Sequence, residues 1–350
     1  MKAYPIMILG GGLTGLTLAN LLQDQQIPFL LLEARQRLGG RILTTYLDKN
    51  APVEMGATWL GKQHTQVLSL LKELKLEHFE QVLGERAIYE PISTSPPQLV
   101  TLPPNSDPSF RIKGGSSQLI MTLASRLDSS QIHLGQVVKS IRKTEEAIHI
   151  QTDKQTFQAS RVVSTLPPYL LANSIEITPA LPEAFTQIAQ QTHTWMGESI
   201  KVALTYAEPF WRDTRSSGTI MSNVGPIPEM YEHANYEDSF FALKGFLNGA
   251  YFSLSKDERL AMIMKQLRKY YGAQAESFLS YEEAVWRNEP FTFMPYNSHV
   301  LPHQHNGHPV FREPYWGGDF FVAGSETSPQ FPGYMEGAIR SAKAVFQHFH

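Results

Sequence analysis

Two short stretches of the sequence combine residue types that could support chemistry. In PGYMEGAI, near the C-terminus, Gly333 and Gly337 enclose a tyrosine, a methionine and a glutamate just before a helical pattern. Such glycines can simply cap a helix, or they can let the backbone and the aromatic ring approach a flat molecule closely. The second stretch is SIKVALTY, in which Lys201 is the one charge among apolar residues. This lysine either faces solvent from an edge strand or is buried for a functional reason.

A glycine-rich turn near the N-terminus has the spacing of a dinucleotide-binding motif. Gly10, Gly12 and Gly15 form G-x-G-x-x-G between the apolar run PIMIL and a helical pattern. The first glycine permits a tight turn, the second admits a pyrophosphate against the backbone, and the third lets helix and strand pack closely. Glu33 ends the next apolar run, 18 residues after Gly15, where it can take ribose hydroxyls. The sequence therefore predicts a βαβ unit that binds a dinucleotide.

A second glycine turn follows this acid in the segment ARQRLGGR. Gly39 and Gly40 are flanked by Arg37 and Arg41, and guanidinium groups suit diphosphate oxygens. A nicotinamide dehydrogenase does not need such a turn after its ribose-binding acid. We therefore favour a different dinucleotide.

Together these segments resemble the flavin monoamine oxidase family, which carries the same succession of G-x-G-x-x-G and E-A-R-x-R-x-G-G-R. Further segments resemble the family in the same order, namely VEMGATWLG (53–61), KGGSSQL (113–119), Val137 and Val138, STLPP (164–168), SIKVALTY, FVAGSET and PGYMEGA. The matches extend over nearly the whole chain. They imply an α/β protein with a glutathione-reductase-type, Rossmann-like FAD-binding domain and a smaller mixed-sheet α+β substrate domain.

The resemblance implies an FAD site assembled from many parts of the chain. The implied cofactor-binding residues are Gly10, Gly12, Leu13, Thr14, Gly15, Glu33, Ala34, Arg35, Gly39, Gly40, Arg41, Gly56, Ala57, Thr58, Val138, Gly324, Glu326, Tyr334 and Met335. Among them, the backbone N–H near Met335 is expected to bond the flavin pyrimidine oxygen, and Glu326 the ribityl or phosphate portion. Because the chain has no cysteine, we expect the FAD to be bound noncovalently.

The resemblance also implies catalytic roles for Lys201, Tyr334 and Tyr296. Lys201 would lie near flavin N5 through a water and help dioxygen accept an electron. Tyr334 would stand over the flavin face as one member of an aromatic pair that orients the amine. Tyr296, ten residues after Trp286, is the expected second member, although its sequence context differs from the family's. Phe291 or Phe293 are alternatives for that position.

Four histidines crowd into NSHVLPHQHNGHP, but their spacing matches no known metal site, so we expect a solvent loop and no metal centre.

The expected reaction is oxidation of an amine to an imine or aldehyde, with O2 as acceptor and H2O2 as product. Amino-acid oxidases of the superfamily carry an arginine for the substrate carboxylate just after the Gly-Ala turn, where this chain has Thr58 and Trp59. The substrate is thus expected to be an amine rather than a free amino acid. Alternatives are a related FAD oxidoreductase, such as a desaturase or a renalase-like NAD(P)H oxidase, and a flavin-binding accessory protein that acts on a partner.

One departure from the family concerns the substrate cover. Only about fifty residues, many of them proline, lie between GATWLG and KGGSSQL, where the family inserts a long helical subdomain. We therefore expect either a large or conjugated amine as substrate or self-association of the protein over the cleft. The protein is expected to be a monomer or a homodimer.

Composition and pattern set the frame for these residues. The chain has 350 residues, 42% of them hydrophobic, and a formal net charge of -3 without basic clusters, so no nucleic-acid partner is expected. No apolar run suits a membrane span, and the N-terminal apolar segment is interpreted as structure, which favours a cytoplasmic protein. We predict an FAD-binding domain at 1–78, 112–190 and 300–350, and a substrate domain at 79–111 and 191–299.

Overall fold

A βαβ unit begins the chain, as the apolar pattern predicts. The computed structural model describes residues 3–47, 51–212 and 216–349. Strand β1 (Ala3–Leu9) pairs in parallel with β2 (Phe29–Leu32), and helix α1 (Leu13–Asp24) connects them. All four residues of β2 are buried, because parallel strands are covered on both faces.

The βαβ unit belongs to the larger of two main sheets. Its further strands are β9 (Ile132–His133), β10 (Val138–Lys143), β11 (Ile148–Thr152), β12 (Thr156–Ser164), β13 (Glu176–Thr178) and β19 (Phe320–Val322). Within the described residues the order is β13-β10-β11-β12-β1-β2-β9, and β19 also pairs with β12. Strand β11 runs antiparallel to both of its neighbours, β10 and β12, whereas β12 runs parallel to β1. The predicted α/β class is confirmed.

The other main sheet is mixed, and five of its seven strands lie between residues 200 and 285. Its strands are β6 (Arg86–Glu90), β7 (Gln98–Thr101), β14 (Ile200–Tyr206), β15 (Thr219–Ser222), β16 (Glu229–Glu232), β17 (Phe241–Leu247) and β18 (Ser280–Val285). They are ordered β18-β14-β17-β16-β15-β6-β7 in the described part of the chain. On one face, Val202 and Leu204 pack in a core with Ile263 and Leu267. On the other face, Ala203 packs with Val53 and Met55, and Lys201, two residues earlier in the strand, lies on that same face.

Short elements connect these sheets. Two further strand pairs are β3 (Thr44–Tyr46) with β4 (Pro52–Glu54) and β5 (His78–Glu80) with β8 (Phe110–Ile112). The remaining α-helices among the described residues are α2 (Thr65–Glu73), α3 (Ser117–Ser125), α4 (Pro168–Ser174), α5 (Glu183–Ala189), α6 (Lys256–Tyr271) and α7 (Met335–Phe346).

The apolar spacing of QVLSLLKELKLEHF (66–79) predicts an amphipathic helix, but the helix in the structure is shorter. The helix ends at Glu73, and Lys75 takes a positive φ of 57°, which interrupts the helical turn. His78–Glu80 then pairs with Phe110–Ile112. The apolar spacing continues past the end of the helix, but tertiary pairing decides the conformation there.

The segment 91–108 contains six prolines, a composition that favours edge strands and loops, and in the structure it forms loops around the edge strand β7. None of the described helices is both long and apolar enough to span a bilayer. The division into two domains at the boundaries given above stays a prediction.

Candidate active site

A cleft of about 1300 Å³, part of it open to solvent, adjoins the glycine turn after β1. The predicted cofactor-binding residues that line it are Gly10, Gly12, Leu13, Thr14, Glu33, Ala34, Arg35, Gly39, Gly40, Arg41, Ala57, Val138, Tyr334 and Met335. Among the described residues, five predicted cofactor-binding residues do not line the cleft, namely Gly15, Gly56, Thr58, Gly324 and Glu326. The prediction missed several lining residues, among them Gln136, Thr165 and Ser325.

The first glycine turn is built by close packing and one buried acid. A Cβ on Gly15 would lie 2.0 Å from the carbonyl oxygen of Gly10, so only glycine lets α1 start this close to β1. The Glu33 carboxylate is buried and accepts N–H bonds from Gly11 at 2.6 Å and Arg35 at 2.9 Å. These bonds hold the acid at the cleft wall, where a ribose contact stays a prediction.

The chemistry of this cleft suits a dinucleotide. Its lining combines Glu33, a hydroxyl acceptor, with Gly12 at the N-terminus of α1, where backbone N–H groups favour phosphate. It also includes Tyr334 and Met335 at the N-terminus of α7. These two helix N-termini would meet the diphosphate and the flavin ring, respectively.

Arg41 is held by Glu326 in a two-point ion pair. Its guanidinium nitrogens lie 2.5 Å and 2.8 Å from the two carboxylate oxygens and donate further to the Trp195 carbonyl at 3.0 Å. Burial alone would raise the pKa of Glu326, but the Arg41 charge and the Ser325 hydroxyl lower it below its ordinary value. Glu326 is fully buried behind the cleft wall, and its expected direct contact with the cofactor stays a prediction.

Two more arginines near the cleft also have protein acceptors. Arg37 donates to the carbonyls of Leu38 at 3.2 Å and Gly40 at 3.1 Å. Arg35 pairs with Glu289 at 2.9 Å. These contacts shape the turn around Gly39 and Gly40, while binding of diphosphate oxygens by Arg37 or Arg41 stays a prediction.

Lys201 is buried, which excludes the solvated edge-strand interpretation. It lies in the second strand of the sheet order, is 5% exposed, and donates to the Gly56 carbonyl and, at 3.2 Å, to the Thr58 hydroxyl. Burial lowers its pKa to about 8, although the negative charge of Glu54 opposes this. At neutral pH the side chain is therefore mostly protonated. Its catalytic role stays a prediction.

A second buried lysine shares the same hydroxyl. Lys244 on β17 is 1% exposed and donates to Thr58 Oγ1 at 2.5 Å, and its ammonium lies 4.6 Å from the Trp59 ring centre. Burial and the charge of Lys201 lower its pKa well below the ordinary value. Sequence reasoning missed Lys244, although its apolar context, FALKGFL, is the signal that drew attention to Lys201.

A buried polar network lies beside the two lysines. Glu54 accepts from the Thr44 hydroxyl at 3.1 Å and from the Ser116 backbone N–H. Burial raises its pKa, while Lys244 opposes that rise. His233 contacts Arg111 at 2.9 Å, and burial together with that arginine lowers the His233 pKa well below the ordinary value. His233 is therefore neutral at pH 7.

The ring beside Tyr334 belongs to Trp195. Their ring centres are 5.8 Å apart with planes inclined by 30°, and His303 stacks on Trp195 at 3.9 Å. Tyr334 is 40% exposed and is also 5.8 Å from His64. Nothing in the sequence pointed to Trp195, because it approaches Tyr334 only through the fold.

Tyr296, the expected partner of Tyr334, lies elsewhere. Its hydroxyl accepts the Thr194 N–H at 2.9 Å, and its ring packs edge-to-face on Tyr169 and Phe293. The structure shows no ring contact between Tyr296 and Tyr334 among the described residues. Their joint role around an amine stays a prediction.

The histidine segment 297–309 is mostly a loop, as expected, although His303 stacks on the Trp195 ring.

Glu336, within PGYMEGA, joins two helices. Its carboxylate accepts the N–H groups of Gln66, at 2.9 Å, and Val67, at 3.0 Å, in the first turn of α2. Arg340, one turn later in α7, also binds it at 2.7 Å. A carboxylate at a helix N-terminus is favourable because it meets unpaired donors and the positive end of the dipole. This part of PGYMEGA therefore fixes α7 against α2.

The family assignment follows from the comparison of sequences. Residues 13–91 and 93–345 match the family described as Flavin containing amine oxidoreductase. The chain belongs to this family. The suspected relationship is thereby confirmed, and the protein is an FAD-dependent oxidoreductase of the amine oxidase type.

A sequence relative is a flavin-containing amine oxidase, and two solved structures share the fold of this chain. Amine oxidase [flavin-containing] A of Canis lupus familiaris is 24% identical over 452 aligned positions, which cover 97% of this chain and 84% of the relative. That alignment is longer than the 350-residue chain, so it contains gaps opposite residues of the relative. A putrescine oxidase bound to putrescine superposes with a TM-score of 0.86 at 23% identity, covering 99% of each chain. Cyclohexylamine oxidase from Brevibacterium oxydans superposes with a TM-score of 0.84 at 20% identity, covering 99% of this chain and 100% of the other.

Proposed function

We propose that this protein oxidises the C–N bond of amines with noncovalently bound FAD and dioxygen. The overall reaction is R-CH2-NH2 + O2 + H2O → R-CHO + NH3 + H2O2, in which two electrons leave the amine and reduce dioxygen to peroxide. When bound, FAD would supply the two-electron acceptor for the amine. The observation that carries the proposal is the buried Lys201, which lies on the face of β14 that packs on Val53 and Met55 and has Thr58 and Gly56 as its partners.

The residues of this chain would orient the amine and set its charge. Tyr334 and Trp195 offer two neighbouring aromatic faces, which suit an aliphatic amine and its polar head. A protonated Lys201 nearby disfavours the ammonium form of the substrate, and amine oxidation requires the neutral form. Thr58 and Trp59 provide no arginine for a substrate carboxylate. These features support an amine rather than a free amino acid.

The same buried cation supports dioxygen as the acceptor. A fixed positive charge in a dry site stabilises negative charge that develops on oxygen. Lys201 keeps its charge at pH 7 because its pKa is lowered only to about 8.

The test is an anaerobic screen for flavin bleaching by amines, NADH and NADPH, followed by admission of air. We expect an amine to bleach the flavin and peroxide to appear in proportion on reoxidation. Bleaching by the nicotinamides alone would reject amine oxidation, and bleaching by none would favour an accessory protein. Flavin retained on the denatured, filtered chain would reject noncovalent binding.

A variant tests the role of Lys201. Lys201→Met should slow reoxidation of photoreduced flavin more than tenfold, about 1.4 kcal/mol of barrier, and change reduction by amine much less. Lys265→Met, at an exposed position on α6, is the control. Equal reoxidation rates in all three proteins would contradict the role.

A further inference from the structure

A row of side chains leads from Lys201 across the second sheet. Lys201 pairs with Phe246 between β14 and β17, and Phe246 pairs with Glu229 between β17 and β16. Glu229 pairs with Met221 between β16 and β15, and Met221 with Tyr89 between β15 and β6. Directly paired residues of neighbouring strands project from the same face of a sheet. All five side chains therefore lie on the face that carries Lys201.

Exposure increases along this row from Lys201 to Met221, and Tyr89 at its end is half-buried. Lys201 is 5% exposed, Phe246 and Glu229 are half-buried, and Met221 is 40% exposed. Neighbouring strands are about 4.8 Å apart, so the backbone of Glu229 lies roughly 10 Å from that of Lys201. The row thus runs from the buried lysine toward solvent, with one carboxylate part of the way along it.

Glu229 is placed to receive a cation. Its carboxylate accepts the Tyr231 hydroxyl at 3.3 Å, and within the described residues no basic side chain forms a salt bridge with it. Trp59 packs against Tyr231 at 5.5 Å and against Phe246 at 6.1 Å, so aromatic rings flank the acid. A carboxylate beside aromatic faces attracts an ammonium group by charge and by cation–π interaction.

The nearby lysines leave this negative charge available. Lys244 pairs with Tyr231 across β16 and β17, on the same face as Glu229. Lys244 donates to Thr58 Oγ1, and burial and the charge of Lys201 lower its pKa well below the ordinary value. The cation of Lys201 is itself engaged by Gly56 and Thr58.

We propose that Glu229 is a binding site for the second ammonium group of a linear diamine or polyamine whose other amine is oxidised near Lys201. This inference rests on the proposed amine oxidation and names its substrate class. The half-buried carboxylate would hold one end of the chain, and Phe246 would contact the methylenes between the two nitrogens. A monoamine of the same length would lose the ion pair.

The test compares putrescine with butylamine, and cadaverine with pentylamine, in wild type, Glu229→Gln and Glu176→Gln. Gln keeps the size of the side chain and an acceptor for Tyr231, and Glu176 is an exposed carboxylate on β13 of the first sheet. Glu229→Gln should raise KM for the diamines at least tenfold, with kcat and the monoamine KM changed less than twofold. Glu176→Gln should behave as wild type. Equal effects on mono- and diamines, or none, would overturn the assignment.

A second readout does not require turnover. Dithionite-reduced protein can bind an amine but cannot oxidise it, so calorimetric titration measures affinity alone. We expect putrescine to bind wild type at least tenfold more tightly than butylamine, and Glu229→Gln to abolish that difference. If no amine is oxidised but this difference is present, only the proposed reaction fails. If wild type binds both equally, the ammonium site is rejected even where amines are oxidised.

Discussion

The buried ammonium of Lys201 should make the stability of the protein depend on pH above neutrality. Its pKa falls from an ordinary 10.5 to about 8 because burial disfavours the charged form. Between these values the unfolded chain binds a proton that the folded chain lacks. The free energy of unfolding therefore rises with pH through this window. The cost of burying the charge is present below about pH 8 and is relieved as the pH approaches 10.5.

The magnitude follows from the two pKa values. Integrating the proton difference from pH 7 to pH 10 gives about 2.5 kcal/mol of added stability, at about 1.36 kcal/mol per pKa unit. Lys201→Met removes this contribution and keeps an unbranched side chain of similar length. The difference in unfolding free energy, wild type minus Lys201→Met, should therefore increase by about 2.5 kcal/mol between pH 7 and pH 10.

Urea unfolding at several pH values measures this difference. Wild type, Lys201→Met and the exposed control Lys265→Met would be compared at matched salt, with constant m-values as a check that each unfolds in one step. Lys265→Met should follow the wild-type curve. A wild-type minus Lys201→Met difference that stays flat from pH 7 to pH 10 would refute a lowered lysine pKa.

Three further substitutions test the packing around the cleft. Arg41→Met should lower the free energy of unfolding by about 3–5 kcal/mol, because Glu326 is left buried without its cation; an unchanged urea midpoint would contradict this. Gly333→Ala and Gly317→Ala both place alanine at positive φ, 86° and 73°. Only the new Cβ at 333 meets a neighbour, since Trp195 side-chain carbons lie 2.5–2.8 Å from it. Gly333→Ala should therefore be less stable than Gly317→Ala by about 1–3 kcal/mol in thermal melts, and equal melts would remove the steric argument. Glu336→Gln should cost about 1 kcal/mol and speed amide exchange in the first turn of α2, whereas unchanged exchange there would reject the capping role.

The sequence by itself determined the features that depend on local chain geometry. The turn at Gly10–Gly15 is specified by its glycines, since a side chain at Gly15 cannot fit against the carbonyl of Gly10. Glu33 directly follows the last residue of β2, so its position is set by where that strand ends. Helix α6 begins with the capping box of Ser255 and Glu258 and is followed by Gly272, and all three are local sequence signals. Each of these features depends on residues that lie within about twenty positions of one another in the sequence.

Only the tertiary structure decided which distant side chains meet. Lys244 joins Lys201 because β14 and β17 pair antiparallel in one particular register, and a shift by one residue would turn one lysine away. Trp195, and not Tyr296, lies beside Tyr334 because the loop before β14 folds over α7. Such contacts depend on strand register and on loop paths between sheets, which apolar periodicity does not encode. Lys244 and Trp195 were therefore identified only in the folded chain, whereas Lys201 was already identified from its apolar sequence context.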